Sequence, residues 1–148
     1  MKTTQIFVNL PVKNLNNSIR FFTRLGFKFD KRFTDKNATC MIISKDIYVM
    51  LLVEKFFKTF TKKKIVDAKK SIETMTALSM DSRKEVDRLA DKAIKAGAKQ
   101  VMSYDHGWMY GRDFEDIDGH IWEIFWMDPN YIKKDSQSFA GTTASVNA

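Results

Sequence analysis

The chain of 148 residues has one cysteine and no long apolar run. The single cysteine, Cys40, excludes an intramolecular disulfide framework and any metal site built from a cysteine cluster. No apolar stretch approaches the roughly 20 residues that span a bilayer, so no membrane partner is expected. The N-terminus, Met1 to Val12, has a single lysine followed by β-branched alternation, which differs from the layout of a signal peptide. These features predict a cytoplasmic protein.

Several motifs that mark common enzyme classes are also absent. The chain contains no GxGxxG dinucleotide loop, no Walker phosphate loop, no HExxH zinc motif, no CxxC pair and no nucleophile elbow. Each motif sets backbone amides, metal ligands or a nucleophile at the spacing that its chemistry requires. The sequence therefore argues against the enzyme classes that depend on these motifs.

The charge balance is basic, with a formal net charge of +7. Such an excess favours anionic partners, nucleic acid among them. The lysines concentrate between Lys55 and Lys70, and no nucleic-acid-binding motif accompanies them. We therefore expect a solvated surface there and no nucleic-acid partner. A further interpretation keeps this stretch as the contact surface of a non-enzymatic interaction protein.

The composition, with 44% hydrophobic and 13% aromatic residues, is that of a folded globular chain. Apolar residues with a period of two predict strands, and a period near 3.6 predicts helices. By these criteria each half of the chain has a strand, a helix that ends at Gly26 or Gly97, and three further strands. The predicted fold class is α+β, with one βαβββ module used twice.

The two modules are expected to pack into one domain, because each alone is too small to cover its sheet and its helix. The domain covers residues 1–133, with the first module at about residues 5–54 and the second at about 73–128. Residues 55–72 form a linker that we expect to be mobile and held by an aromatic anchor. The small, polar residues 134–148 predict a flexible tail.

Two segments carry a family resemblance. The series Val8-x-Leu10-x-Val12-x-Asn14-Leu15, followed by Ser18-Ile19-x-Phe21-Phe22 and Leu25-Gly26-Phe27, resembles the opening of the vicinal oxygen chelate superfamily. That superfamily contains glyoxalase I, extradiol dioxygenases, and the fosfomycin and bleomycin resistance proteins. The run from Asp116 to Ile124 is similar to the family's Asp-Pro-Asp-Gly-x-x-x-Glu hairpin, with Ile117 at the proline position.

The resemblance implies that both modules curl a mixed sheet around a cleft, with the helices on the outer face. Because side chains alternate along a strand, it also implies which residues line the cleft. On the first strand, for example, Val8, Leu10 and Val12 would face the helix. The predicted lining consists of alternate residues on three strands: Phe7, Asn9, Met75, Ser79, Ile121, Glu123 and Phe125.

The metal site of the family is not preserved in this sequence. Family enzymes hold a divalent cation with His, Gln or Glu side chains from four strands. The first, fifth and eighth strand positions fall on Phe7, Met75 and Glu123, and the fourth-strand position falls within the apolar residues 50–52. One carboxylate cannot hold such an ion alone, so we expect no cofactor. The alternative is a recruited divalent metal, held by Glu123 and, if the register slips, by Glu54.

The first functional hypothesis is a metal-free, bleomycin-resistance-like protein that binds a small organic ligand and forms a homodimer. A lining of methionine and aromatic side chains suits planar or apolar ligands. Arg112 could offer a guanidinium group to an anionic ligand at the mouth of the cleft, or could form a surface salt bridge.

The second hypothesis is an enzyme of the same superfamily, a glyoxalase-like lyase or an isomerase. Glu123 would act as acid or base, because a carboxylate among apolar walls can have a raised pKa. The structural alternative is that Glu123 pairs with an arginine or a lysine across the cleft and has no catalytic role.

Overall fold

The computed structural model describes residues 1–131, and the predicted tail at residues 134–148 lies outside them. Within these residues, strands and helices follow one another in two similar sets. The first set is β1 (Ile6–Val12), α1 (Leu15–Leu25), β2 (Lys28–Asp30), β3 (Ala38–Ser44) and β4 (Ile47–Val53), after which comes the short α2 (Glu54–Phe57). The second set is β5 (Met75–Ser79), α3 (Arg83–Ala96), β6 (Lys99–Asp105), β7 (Met109–Glu115) and β8 (Ile121–Met127).

The strands form two four-stranded mixed sheets, with the orders β1-β4-β3-β2 and β5-β8-β7-β6. In each sheet the first strand of the module runs parallel to the last, and the other pairs are antiparallel. The same strand order in both halves confirms the α+β fold with one βαβββ unit used twice.

Helix ends follow the local chemistry of the sequence. The Asn14 side chain accepts a hydrogen bond from the Asn17 amide at the start of α1, and the Ser82 side chain accepts one from the Glu85 amide at the start of α3. Each of these helices ends at a left-handed glycine, Gly26 in the first module and Gly97 in the second. Both helices therefore have the boundaries that their capping residues specify.

One apolar core joins the two modules. Side chains from the inner faces of both sheets pack with α1 and α3 in a single cluster. The rings of Phe22 on α1 and Trp122 on β8 meet edge to face, with their centroids 5.2 Å apart. The helices therefore lie against the core face of each sheet. The opposite face, called the outward face below, is the one that the family resemblance predicts to line the cleft, and it is left to the functional site.

A buried polar junction reinforces this contact between the modules. The Asp118 carboxylate accepts hydrogen bonds from the Lys13 amide at 2.9 Å and from Ser18 Oγ at 3.1 Å. Next to it, His120 Nε2 lies 2.7 Å from the carbonyl oxygen of Pro11. The turn before β8 is thus tied to the end of β1 and the start of α1.

One strand is shorter than the sequence predicts, and the linker contains short helical turns. The alternation of aromatic and charged residues from Phe27 predicts a second strand that continues to Thr34. In the structure β2 ends at Asp30, whose carboxylate accepts a hydrogen bond from the Arg32 amide and starts a 3-10 turn. The linker contains α2 and a 3-10 turn at Lys58–Phe60, in which Phe56 packs edge to face against Phe60. Further along, its backbone at Lys69 packs against Gly119, where a Cβ atom would lie 2.6 Å from the Lys69 nitrogen. Within residues 1–131, no helix combines the length and hydrophobicity that crossing a membrane requires.

Candidate functional site

Five of the predicted lining residues lie together on the second sheet. The strand register sets Met75 beside Ile121 and Ser79 beside Phe125. Glu123 lies between Ile121 and Phe125 along β8 and pairs with Ala77 on β5. The neighbours in sequence, Leu78, Trp122 and Ile124, belong to the core. We name the outward surface of this sheet the acidic face; its residues are Met75, Ala77, Ser79, Met102, Tyr104, Gly111, Asp113, Ile121, Glu123 and Phe125.

The other two predicted lining residues, Phe7 and Asn9, lie on the first sheet. Phe7 stacks on Tyr48 with a centroid distance of 4.7 Å, and nearly half of its surface is exposed. Asn9 borders a cavity of about 320 Å³ together with Ile121 and His120. The predicted lining is therefore divided between two sheets, because the modules meet through their helices and not through a shared strand pairing.

The linker forms much of the wall of this cavity. Lys63, Lys64 and Ile72 line it from the linker, together with Asn9 in the middle of β1. The cavity thus lies at the module junction, beside the acidic face and separate from its carboxylates.

The central feature of the acidic face is a pair of carboxyl groups. Asp113 on β7 lies directly opposite Glu123 on β8 in the antiparallel register. Asp113 is only 5% exposed, and its Oδ1 atom is buried without a hydrogen-bond partner among residues 1–131. Buried polar atoms in proteins are nearly always hydrogen-bonded, so an unpartnered carboxyl oxygen points to a functional role.

Tyr104 on β6 completes the group. Its hydroxyl donates a hydrogen bond of 2.5 Å to Glu123 Oε1. The ring reaches Glu123 by crossing over Gly111, where a Cβ atom would lie 2.3 Å from the tyrosine Cζ. Glycine at position 111 is therefore what allows the tyrosine to lie flat on the sheet. Burial and the hydrogen bond to Glu123 raise the pKa of Tyr104, so it stays protonated and remains a donor.

The electrostatics of the pair are set by burial. Loss of solvent, and secondarily the charge of Glu123, raise the pKa of Asp113 to about 6. Near neutral pH this carboxyl group can therefore gain or lose a proton, while the neighbouring glutamate accepts the tyrosine hydrogen bond. The sequence analysis expected the perturbed carboxylate at position 123. Asp113, whose pKa burial raises, was not among the predicted site residues.

Arg112 does not lie at the mouth of the cleft, and the prediction that it could meet an anionic ligand there is wrong. Its guanidinium contacts Asp87 at 3.1 Å and Asp91 at 2.9 Å, both on α3. Alternation along β7 explains this, because Gly111 and Asp113 point outward and residue 112 must point towards the helix. The salt-bridge interpretation of Arg112 is the one that the structure supports.

The residues at the family's metal positions do not fit a divalent cation. Phe7 and Met75 offer no oxygen or nitrogen ligand, and Glu54 is exposed at the start of α2, where it borders a different pocket with Lys13 and Asp67. Among residues 1–131, no cluster of three or more His, Cys, Asp or Glu side chains could hold a metal ion. Asp113 and Glu123 supply only two carboxyl groups, which is fewer protein ligands than a typical first-row metal site has.

Comparison with known proteins gives a consistent family. The model of the Glyoxalase/Bleomycin resistance protein/Dioxygenase superfamily matches residues 4–124. No curated protein matches the chain.

Solved structures share the fold over most of the chain. A hypothetical protein from S. aureus is 26% identical, with a TM-score of 0.73, and the match covers 85% of this chain and 95% of that one. A glyoxalase-related enzyme from Fulvimarina pelagi is 17% identical, with a TM-score of 0.71 and coverage of 84% and 88%. The fosfomycin resistance protein FosX from Listeria monocytogenes is 15% identical, with a TM-score of 0.62 and coverage of 88% and 98%.

Proposed function

Because the chain belongs to the Glyoxalase/Bleomycin resistance protein/Dioxygenase superfamily, we propose that it binds a small organic ligand on the acidic face without a resident metal ion. The observation that carries the proposal is the buried, unpartnered carboxyl oxygen of Asp113 beside Glu123. A polar anchor of this kind within an apolar surface is typical of ligand sites.

The surroundings of the carboxyl pair are apolar and accessible. Met75 is 49% exposed and Met102 is 57% exposed, and the partly buried Ile121 and Phe125 lie on either side of Glu123 along β8. Thioether side chains adapt their shape to a ligand, and an aromatic edge offers a surface for stacking. The acidic face thus combines a broad apolar contact with two polar anchor points.

We also propose that a second copy of the chain packs on exposed apolar side chains of the outward faces, which makes the protein a homodimer and leaves the acidic face open as a cleft between the two copies. Both outward faces carry exposed large apolar side chains, among them Phe7, Met75 and Met102. Exposed apolar patches on a folded chain mark interaction sites. Light scattering coupled to size exclusion should give twice the 17.2 kDa chain mass. A monomer mass at 100 μM protein would refute the dimer and leave the ligand proposal standing.

A second candidate function is proton-transfer catalysis, as in a lyase or an isomerase of the superfamily. It is favoured by the pKa of Asp113, which is raised to about 6 and suits an acid or base near neutral pH. The test is exchange of protons next to the carbonyl of a panel of hydroxyketones in D₂O. Exchange that is lost in Asp113→Asn would support this candidate. Rates equal to those without protein would dismiss it.

The ligand proposal is tested by NMR titration of ¹⁵N-labelled protein against a fragment library. We expect shift changes to concentrate at the amides of Asp113, Glu123 and Phe125. The exposed Ala77→Trp substitution should abolish them by covering the face, and the matched change Ser44→Trp, on an exposed end of β3, should not. Shifts elsewhere only, or none at all, would contradict the proposal.

Metal dependence is tested separately on the same protein. Elemental analysis of protein purified without chelator should show less than about 0.1 equivalent of Mn, Fe, Ni or Zn, and fragment affinity should be unchanged after dialysis against EDTA. A stoichiometric metal content, lost on dialysis together with binding, would overturn the metal-free proposal.

A further inference from the structure

We propose that the ligand of the acidic face carries a protonated amine, which Asp113 and Glu123 bind jointly. The inference rests on the proposed function, since it names the chemical class of ligand for the same site. It is independent of the superfamily's metal chemistry, for which this face lacks the ligands.

The first argument is the unmet hydrogen-bonding capacity of the pair. Asp113 Oδ1 is buried and has no donor among residues 1–131, and the described partner of the Glu123 side chain is the Tyr104 hydroxyl. An alkylammonium group has three N–H donors on one atom. It can therefore satisfy Asp113 and Glu123 together, while its carbon skeleton lies on Phe125 or Met75.

The second argument is the local charge. The titratable groups that face Asp113 are Glu123 from β8 and Tyr104 from β6, whereas β5 contributes the apolar Ala77 beside Glu123. Within residues 1–131, neither carboxyl group forms a salt bridge. An anionic ligand would meet uncompensated negative charge here, although the whole chain carries +7.

The arginines near this sheet do not alter that balance. Arg112 is bound to Asp87 and Asp91 on the helix side, and Arg83 forms an ion pair with Asp105. The charge of Arg112 is thus neutralised on the helix side of the sheet, and the charge of Arg83 is neutralised at the end of β6. The acidic face consequently has a negative local charge in a basic protein.

The third argument concerns the proton. Asp113 and Glu123 are adjacent across a strand pair, and two neighbouring carboxylates disfavour ionisation of the more buried one. An ammonium group that arrives between them removes this repulsion and favours the ionised form of Asp113. Ligand binding and proton release are therefore linked, and affinity for an amine should fall as the pH is lowered.

The test uses three probes with one apolar skeleton: 2-phenylethylamine, 2-phenylethanol and 3-phenylpropionate. Dissociation constants come from NMR titration at pH 7.5 and pH 5.0; the amine and the alcohol keep their charge state at both, and the acid, which is partly protonated at pH 5.0, is compared at pH 7.5. At pH 7.5 the amine should bind at least tenfold more tightly than the alcohol, and the acid should bind most weakly. With the pKa of Asp113 raised to about 6, only about a tenth of it is ionised at pH 5, so amine affinity should fall about tenfold.

Two variants separate this mechanism from a general effect of charge. Asp113→Asn should weaken amine binding and remove its pH dependence. Glu123→Gln should weaken amine binding as well. Asp46→Asn removes one charge from an exposed turn on the first sheet and should change neither the amine affinity nor its pH dependence. Amide spectra of each variant establish that it is folded. If Asp113→Asn does not fold, the pH profile of Glu123→Gln decides, because its midpoint should shift downward.

Each outcome has a distinct meaning. Equal, pH-independent affinity for the amine and the alcohol at the acidic face overturns the amine inference but supports a ligand site. Preference for the acid overturns the inference in the same way. Tight binding of Mn²⁺, detected by broadening at Asp113 and Glu123 with no response to the amine, overturns both proposals.

Discussion

The Tyr104 hydroxyl donates a 2.5 Å hydrogen bond to Glu123 across the backbone of Gly111. These three residues lie on three neighbouring strands, β6, β8 and β7. The bond orients the glutamate towards the middle of the sheet, where Asp113 lies opposite it. The geometry of the carboxyl pair thus depends on a glycine that has no functional group of its own.

Gly111→Ala should therefore disturb the site through Tyr104. The new methyl group would lie within 2.3 to 2.7 Å of three tyrosine atoms, so the ring must move off the sheet and lose its bond to Glu123. We expect a loss of about 1–3 kcal/mol in the free energy of unfolding, measured by urea denaturation. Adding Tyr104→Ser should recover part of that loss. If Gly111→Ala is as stable as the parent protein, the close approach of the ring is not a constraint.

The pH dependence of stability should reveal Asp113. Burial raises the folded-state pKa of Asp113 to about 6 from the ordinary 3.8. Between pH 3.8 and pH 6 the folded chain therefore binds one proton more at this residue than the unfolded chain does. The favourable contribution is present below pH 3.8 and is lost as the pH rises through 6. At neutral pH the ionised Asp113 therefore lowers the free energy of unfolding by about 3 kcal/mol.

Asp113→Asn isolates this contribution, since asparagine does not titrate. Relative to the parent protein, the variant should gain up to about 3 kcal/mol of unfolding free energy between pH 4 and pH 7. Urea denaturation at four pH values measures the difference. Asp46→Asn, on an exposed turn, should show a flat difference over the same range. A flat profile for Asp113→Asn would mean that Asp113 is already ionised at pH 4.

The sequence predicted the fold well because its signals are local. Alternation along β1, β5 and β8 identified the inner and outer faces, and the glycines after α1 and α3 marked both helix ends. These signals need no information about distant contacts. The same reasoning brought Met75, Glu123 and Phe125 onto one face.

The rest of the site depends on register between strands, which is not a local property. Tyr104 reaches Glu123 because β6 carries an irregularity between Gln100 and Met102 that shifts its pairing with β7. Asp113 could have been found, since the turn at residues 116–119 sets Glu115 opposite Ile121 and hence residue 113 opposite residue 123. Its burial, however, follows from packing that the sequence does not display.

Arg112 should contribute to stability and not to ligand binding. Its contacts with Asp87 and Asp91 are half exposed on the aspartate side, so solvent screens them. Arg112→Gln should lower the free energy of unfolding by about 0.5–1 kcal/mol. Fragment affinity at the acidic face should remain within twofold by NMR titration. A tenfold change in affinity for a charged probe would mean that Arg112 takes part in ligand binding.

Asp118 should be the most sensitive polar position at the junction of the modules. It is buried, and its carboxylate satisfies both the Lys13 amide and the Ser18 hydroxyl. Asp118→Ala leaves the Lys13 amide without this acceptor, whereas the Ser18 hydroxyl keeps the Asn14 carbonyl oxygen at 3.1 Å. We expect a loss of about 2–4 kcal/mol, since hydrogen bonds to charged groups are strong and a buried amide is costly to leave unpaired. Ser18→Ala removes one donor and keeps the other bond, so it should cost only about 1 kcal/mol. Urea denaturation of both variants measures the two losses in the free energy of unfolding, which can then be compared. Equal losses would mean that the carboxylate acts through Ser18 alone and that its bond to the Lys13 amide adds no stability.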